Sequence, residues 1–191
     1  MMNEINQGKC RVDVFIPDIK YIKNKKGAEG ITKLNKKLSE MTAGFKISDI
    51  EKLKHTEMVP VLFRAKFLDA CLSVLDNDAT KIRAMGREHP KNSLIARHFL
   101  GYLINPIKII SHAPSYWKEH YTVGELEVLQ MDENYVRFCI KNFKLSKLFC
   151  IHMVGYIEGL CDIAKVKNFS CKEIKCIHEG AEHCEYEIVM K

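Results

Sequence analysis

The sequence predicts an α+β fold, with a helical N-terminal two-thirds packed on an antiparallel sheet and a C-terminal strand-strand-helix-strand-strand unit. Three observations carry this. From Met58 to Leu75 apolar residues recur at helical spacing, with Val59, Leu62, Phe63, Phe67, Ala70, Cys71 and Val74 on one face. From Gly124 onward the period changes to two, so that Val136, Phe138 and Ile140 alternate with Tyr135, Arg137, Cys139 and Lys141. Between two such strand pairs lies Leu145 to Ala164, long enough and apolar enough for a core helix.

Taken in order, Arg11 to Ile16 alternates and meets Pro17, which predicts a short strand. Ile19 to Lys26 and Ile31 to Met41 predict two helices separated by Gly27 and Gly30, and Asp49 to Lys54 a helical turn. Thr56 can cap the Met58–Leu75 helix, with Pro60 tolerated only in its first turn. A helix from Ala79 to Glu88 ends at Pro90. Asn92 or Ser93 caps another, with Leu94, Ile95, His98, Phe99, Tyr102 and Leu103 on its apolar face and Pro106 as its end. Ile107 to Tyr121, interrupted by Pro114, predicts two short helical pieces. Gly124–Met131 and Tyr135–Phe143 predict strands around Asp132-Glu133-Asn134. Gly155 and Gly159, one turn apart, let another element approach the Leu145–Ala164 helix closely. Cys171–Ile177 and Cys184–Met190 predict a hairpin with Cys184, Tyr186 and Ile188 on one face. With no internal repeat, low-complexity tract or linker, residues 1–191 read as a single domain.

A chain of 191 residues, 47% hydrophobic and 28% charged, has an ordinary globular composition. Its apolar runs are too short to span a bilayer, and its first residues lack the apolar stretch of a signal peptide, so we expect a cytoplasmic location and no membrane partner. The net charge of +6 is spread out, and Lys23-Asn24-Lys25-Lys26 is its densest cluster; no basic stripe with interleaved aromatics predicts nucleic-acid binding.

Eight cysteines are many for such a compartment, where they point to metal or buried thiols before disulfides. Six follow Phe138. Cys150, Glu173, Cys176 and Cys184 read Cys-x22-Glu-x2-Cys-x7-Cys, three thiolates and a carboxylate suited to a tetrahedral zinc. Cys150 and Cys161 stand roughly 16 Å apart along one helix and cannot share an ion. Glu173 and Cys176 fall on opposite faces of a flat strand, so both reach one ion only at a bulge or a frayed strand end. Cys171, His178 and His183 are therefore substitutes for any of the four. Four protein ligands would close the shell, making such a zinc structural rather than catalytic.

Two segments, Gly155-Tyr156-Ile157-Glu158-Gly159 and Cys171-Lys172-Glu173-Ile174-Lys175-Cys176-Ile177-His178-Glu179-Gly180-Ala181-Glu182-His183-Cys184-Glu185-Tyr186-Glu187-Ile188, resemble the 4-vinyl reductase domain family over residues 120–191. That resemblance implies a fold shared with the TRAPP vesicle-tethering subunits and, more distantly, with haem nitric-oxide-binding domains. It implies zinc on Cys150, Glu173, Cys176 and Cys184, the ligand spacing of the related phenol-sensing activators. It also implies a pocket for a small apolar or aromatic molecule between sheet and helices, and a homodimer. Trp117, beside His112 and His120, does not align with the sensors' tryptophan and histidine, so phenol is not carried over.

Other chemistries find little. No glycine-rich dinucleotide loop follows a strand, so neither a nucleotide cofactor nor a reductase is expected. Haem would need a proximal histidine and a Tyr-x-Ser-x-Arg clamp, which Tyr135-Val136-Arg137 does not supply, so no haem is expected. His98 reads as a core histidine, and Phe63, Phe67, Phe99 and Tyr102 as core packing. No Gly-x-Ser-x-Gly elbow occurs, and no catalytic residue is assigned. The expected function is small-molecule binding in a sensory domain with a structural zinc. The alternatives are a TRAPP-like protein-interaction module, favoured by a sealed interior, and an enzyme acting on a tetrapyrrole vinyl group.

Overall fold

The computed structural model describes residues 2–42, 44, 46–93 and 106–191, with the backbone alone for 2–4 and 106–108. The expected helix bearing Leu94, Ile95, His98, Phe99, Tyr102 and Leu103 lies outside the described residues.

The chain begins with α1 (Met2–Gln7) and β1 (Lys9–Arg11), followed by a 3-10 turn at Val12–Val14. The strand expected over Arg11–Ile16 is thus shorter and earlier. Pro17, read as its end, instead occupies the first turn of α2 (Ile16–Met41), where the missing N–H costs nothing. The two helices expected in this stretch meet end to end within it, broken at Gly27, whose backbone is non-helical with a φ of 62° that suits glycine. A short α3 (Ile47–Lys52) leads to β2 (Met58–Pro60), which pairs antiparallel with β1 through Lys9↔Pro60, Cys10↔Val59 and Arg11↔Met58. Only then does α4 (Val61–Val74) start, so the expected Met58–Leu75 helix loses its first turn to this ribbon. Its inward face also differs from the apolar pattern: Leu62 is exposed while Arg64 is buried.

Next come α5 (Ala79–Asn92), capped by the Asp78 carboxylate on the Thr80 N–H, α6 (Pro106–Ser111) and α7 (Ala113–His120). α5 runs past Pro90, its expected end. The sheet is antiparallel with order β3-β4-β6-β5, built from β3 (Glu125–Asp132), β4 (Tyr135–Lys141), β5 (Phe169–Lys175) and β6 (Cys184–Met190). Its register includes Phe138↔Tyr186 and Cys171↔Ile188. Between the two strand pairs runs α8 (Lys147–Ile163), capped by Ser146 on the Phe149 N–H. The helices and the inner sheet face share one core, from Phe15, Ile22 and Leu34 through Phe67 and Met85 to Val136, Tyr186 and Ile188.

The α5–α8 contact fixes the centre of the molecule. Gly155 and Gly159 do what their spacing predicts: a Cβ on Gly155 would meet the Arg83 carbonyl, and one on Gly159 the Arg87 carbonyl. Gly86 on α5 answers them, lying against the His152 carbonyl. Two bidentate pairs flank this backbone contact, Arg83 on Glu158 (2.6 and 3.1 Å) and Arg87 on Asp162 (both 2.8 Å).

Candidate functional site

Four of the sequence-predicted residues come together. One donor atom from each of Cys150, Glu173, Cys176 and Cys184 lies within 4.8 Å of the others. Cys150 stands in the first turns of α8 and Cys184 opens β6. Glu173 and Cys176 reach the same point for the reason foreseen: the β5–β6 register shifts between Glu173 and Lys175, and the strand ends at Lys175. The chain then turns through Ile177–Glu179 and Gly180, at φ 94°, which returns Cys184 beneath Cys176. Cys171, His178 and His183 are not part of this group among the described residues. Cys171 lies buried mid-strand, and His183 Nε2 is 3.4 Å from Glu185.

The three sulfurs lie close to one another. Cys150 Sγ is 3.5 Å from Cys184 Sγ and 4.0 Å from Cys176 Sγ. A tetrahedron with Zn–S bonds of about 2.3 Å has edges of about 3.8 Å. Glu173 Oε1 is buried with no hydrogen-bond partner, an orphan oxygen at the right place. The Ile177 N–H points at Cys184 Sγ (3.5 Å). Lys147 Nζ donates to Cys176 Sγ and Glu173 Oε2, both at 3.2 Å, offsetting part of the charge that such a donor set would carry. The hydrogen bond to Cys184, and then burial, push the Cys150 thiol up, while the same bond holds Cys184 down.

A second feature lies between sheet and helices, where a pocket was expected from the resemblance and not from any local pattern of residues. Between α7, α8 and the inner sheet face lies a cavity of about 130 Å³. Its walls are mainly apolar, with Trp117, Leu126, Phe138, Phe149, Ile157 and Ile188 among them. Trp117 is the chain's single tryptophan, and its Nε1–H is spent on the Val123 and Gly124 carbonyls (3.2 and 3.0 Å). His120 also lines the cavity, bonded through Nδ1 to the Tyr116 carbonyl at 2.8 Å. Further polar groups enter the wall at Arg64, His89 and His152 and at Tyr116, Tyr121 and Tyr156.

Behind Arg64, His89 and His152 stands Asp18, fully buried on α2. Arg64 Nη2 pairs with Asp18 Oδ2 at 2.7 Å, while His89 Nδ1 and His152 Nε2 lie 2.8 and 3.1 Å from Asp18 Oδ1. Burial by itself would raise the Asp18 pKa; His152, Arg64 and His89 outweigh it and hold the carboxyl well below its usual range. Burial lowers His152 to about 4, keeping it neutral at pH 7. The sequence signal for this cluster was faint, a charge within each of two apolar helix faces far apart along the chain.

No protein-family model and no curated protein matches the chain. Solved structures do. An unliganded Fe(II) H-NOX (haem-NO-binding) protein from K. algicida is 11% identical over 95% of this chain and 96% of its own, with a TM-score of 0.65. An H-NOX protein from S. oneidensis in the Fe(II)NO state is 12% identical over 95% and 99%, at 0.63. The chain has the H-NOX fold. A structure that probes haem distortion in the H-NOX family gives 13% over 95% of each chain, at 0.67.

Two expectations are corrected by this. The resemblance of residues 120–191 to the 4-vinyl reductase family is not sustained, since no family model matches and H-NOX structures account for nearly the whole chain. It rested on a short stretch of turn glycines and cysteines, which an antiparallel hairpin supplies irrespective of family. The expectation of no haem also falls, because it rested on a missing sequence clamp while the proteins of the same fold include haem proteins. The described residues nonetheless form no complete haem site. The cavity of about 130 Å³ is close to the roughly 150 Å³ that holds one benzene. Its wall arginine, Arg64, is already paired with Asp18, and His89 and His152 both contact the same carboxylate.

Proposed function

We propose that the chain is a small-molecule-binding sensory domain whose ligand is a ring-sized apolar compound held between α7, α8 and the sheet. The cavity carries this reading. Well-packed interiors hold few voids larger than a water molecule. A space of about 130 Å³, walled by aromatic and aliphatic side chains with several polar groups among them, has the make-up of a ligand pocket. The interior is not sealed in the way an interaction module would favour. The fold supports the same reading, since its solved members include a protein in an NO-ligated state.

The same proposal places a structural zinc on Cys150, Glu173, Cys176 and Cys184. The sulfur spacings and the unpartnered Glu173 oxygen support it. The ion would tie the β5–β6 turn to the start of α8, and its binding free energy would add directly to folding.

Trp117 provides the assay. Titration with benzene or ethylbenzene should change its fluorescence saturably and raise the melting temperature. A protein that shows neither response to any single-ring compound is not a binder of this class. Elemental analysis of protein purified without a metal-affinity tag should give one zinc per chain; a metal-free protein would leave the four residues as buried thiols.

A further inference from the structure

We infer that Tyr186 is a positioning residue of the metal site, its hydroxyl donating a hydrogen bond to the Cys150 thiolate when the ion is bound. This rests on the zinc reading and adds a group that acts on one of its sulfurs. A metal holds its cysteines as thiolates, which accept hydrogen bonds and cannot donate them. Two of the three sulfurs already face donors. Lys147 Nζ lies 3.2 Å from Cys176 Sγ, and the Ile177 N–H points at Cys184 Sγ from 3.5 Å. Cys150 has no such donor among the described residues. Apart from the neighbouring sulfurs, its Sγ contacts the Ser146 carbonyl at 3.7 Å, which is itself an acceptor. That contact suits a thiol and is lost with its proton.

Tyr186 supplies the missing donor. It is fully buried, and its hydroxyl has no hydrogen-bond partner among the described residues. Buried polar groups are ordinarily satisfied, so an orphan hydroxyl in the core calls for an acceptor stronger than a thiol. The register puts it at the cluster. Tyr186 stands two residues after Cys184 on the inner face of β6 and directly across from Glu173 on β5. Its ring is fixed by stacking on Phe138, with centroids 5.3 Å and planes 21° apart. Burial, and then the groups of Cys150, Cys184 and Glu173 near it, push the phenol well above its usual range, so it keeps the proton it would donate. Hydrogen bonds to an ionised acceptor are the strong ones. Deprotonation of Cys150 by a metal therefore gives this hydroxyl its partner, and the partner in turn fixes the sulfur.

The test is Tyr186→Phe, which removes one oxygen and keeps the ring on Phe138. Zinc affinity of the intact protein at pH 7, measured by competition with a chromophoric chelator, should fall about ten- to a hundredfold, as on losing an outer-shell partner. Cobalt(II) exchanged into the site reports on the sulfur itself. Without the hydrogen bond the thiolate is richer in electrons, so the sulfur-to-cobalt charge-transfer bands should move to lower energy. With zinc stripped by chelator, the variant should melt at the wild-type temperature or above it, because a buried hydroxyl without a partner is a cost to folding. Unchanged zinc affinity or unmoved cobalt bands would overturn the role of Tyr186 and leave the four ligands in place. A lower melting temperature in the stripped variant would overturn it too, by showing that the hydroxyl serves the core with or without an ion. Wild-type protein that binds no zinc would overturn the zinc reading beneath it.

Discussion

Replacing Gly155 by alanine separates two opposed effects by their sign. In a helix interior free of neighbours, Gly→Ala stabilises by about 0.5–1 kcal/mol, because glycine loses more backbone freedom on folding. Gly155 is not free of neighbours. A Cβ built there runs into the carbonyl oxygen of Arg83, with the Arg83 carbon at 2.8 Å and the Arg87 amide nitrogen at 3.0 Å. These are backbone atoms of a packed helix, so no side chain can swing aside. α5 and α8 must part, which loosens the Gly86 and Gly159 contacts on either side and stretches the Arg83–Glu158 pair. Overpacking of this kind costs about 1–3 kcal/mol, occasionally more. Set against the propensity gain, the net loss is about 1–2 kcal/mol. For a domain of this length that lowers Tm by about 2–8 °C. Urea unfolding followed by circular dichroism should show a lower midpoint with an unchanged slope. A midpoint that stays put or rises would refute the close approach of the two helices, since only the propensity term would then remain.

Cys184→Ser should abolish the proposed zinc binding and lower Tm by about 10 °C or more, because metal affinity and folding are linked; unchanged zinc content would remove Cys184 from the proposed donor set. Stability should fall as the pH drops from about 6.5 to 4. His152 titrates at about 4 when folded and near 6.5 when unfolded, so the unfolded chain takes up the proton first, and up to about 3 kcal/mol is lost across that window. Below it the depressed Asp18 carboxyl adds a further loss. Thermal melts at pH 7, 6, 5 and 4 would show this, and His152→Gln should flatten the upper part of the profile; a wild-type profile flat from pH 7 to 5 contradicts the buried neutral histidine. Asp162→Asn should change stability by no more than about 1 kcal/mol, since Arg87 is half exposed and surface pairs contribute little; a larger loss by chemical denaturation would mean that the pair organises the α5–α8 contact.

The parts of the fold readable from sequence were those set by local period and by residues of narrow use. Period-two alternation placed a strand at Tyr135–Phe143, two residues longer than β4, and gave the limits of β6, while two glycines one turn apart announced a close approach that α5 turns out to make. The spacing offered Cys150, Glu173, Cys176 and Cys184 as one group, with Cys171, His178 and His183 as substitutes and a bulge or a frayed strand end as the condition for joining Glu173 to Cys176; the structure gathers the four, with a register shift in β5. What the sequence hid depends on distant partners. Met58–Pro60 has helical neighbours and becomes a strand only because Lys9–Arg11 lies beside it. Arg64 sits where a charge on α4 would ordinarily be solvated; it is inside because Asp18, on another helix, is inside too. The cavity is a property of packing, and no local pattern encodes a space.

α8 touches both sites. Its Cys150 end is gathered against the β5–β6 turn by sulfur contacts of 3.5 and 4.0 Å, and from His152 to Ala164 the same rod forms one wall of the cavity. The rod is also held along its length, because Gly155 and Gly159 lie against α5 and Arg83 and Arg87 pair with Glu158 and Asp162. A ligand that presses on Met153 or Ile157 therefore meets a wall backed by a second helix, and the pressure passes to α5 rather than moving α8 alone.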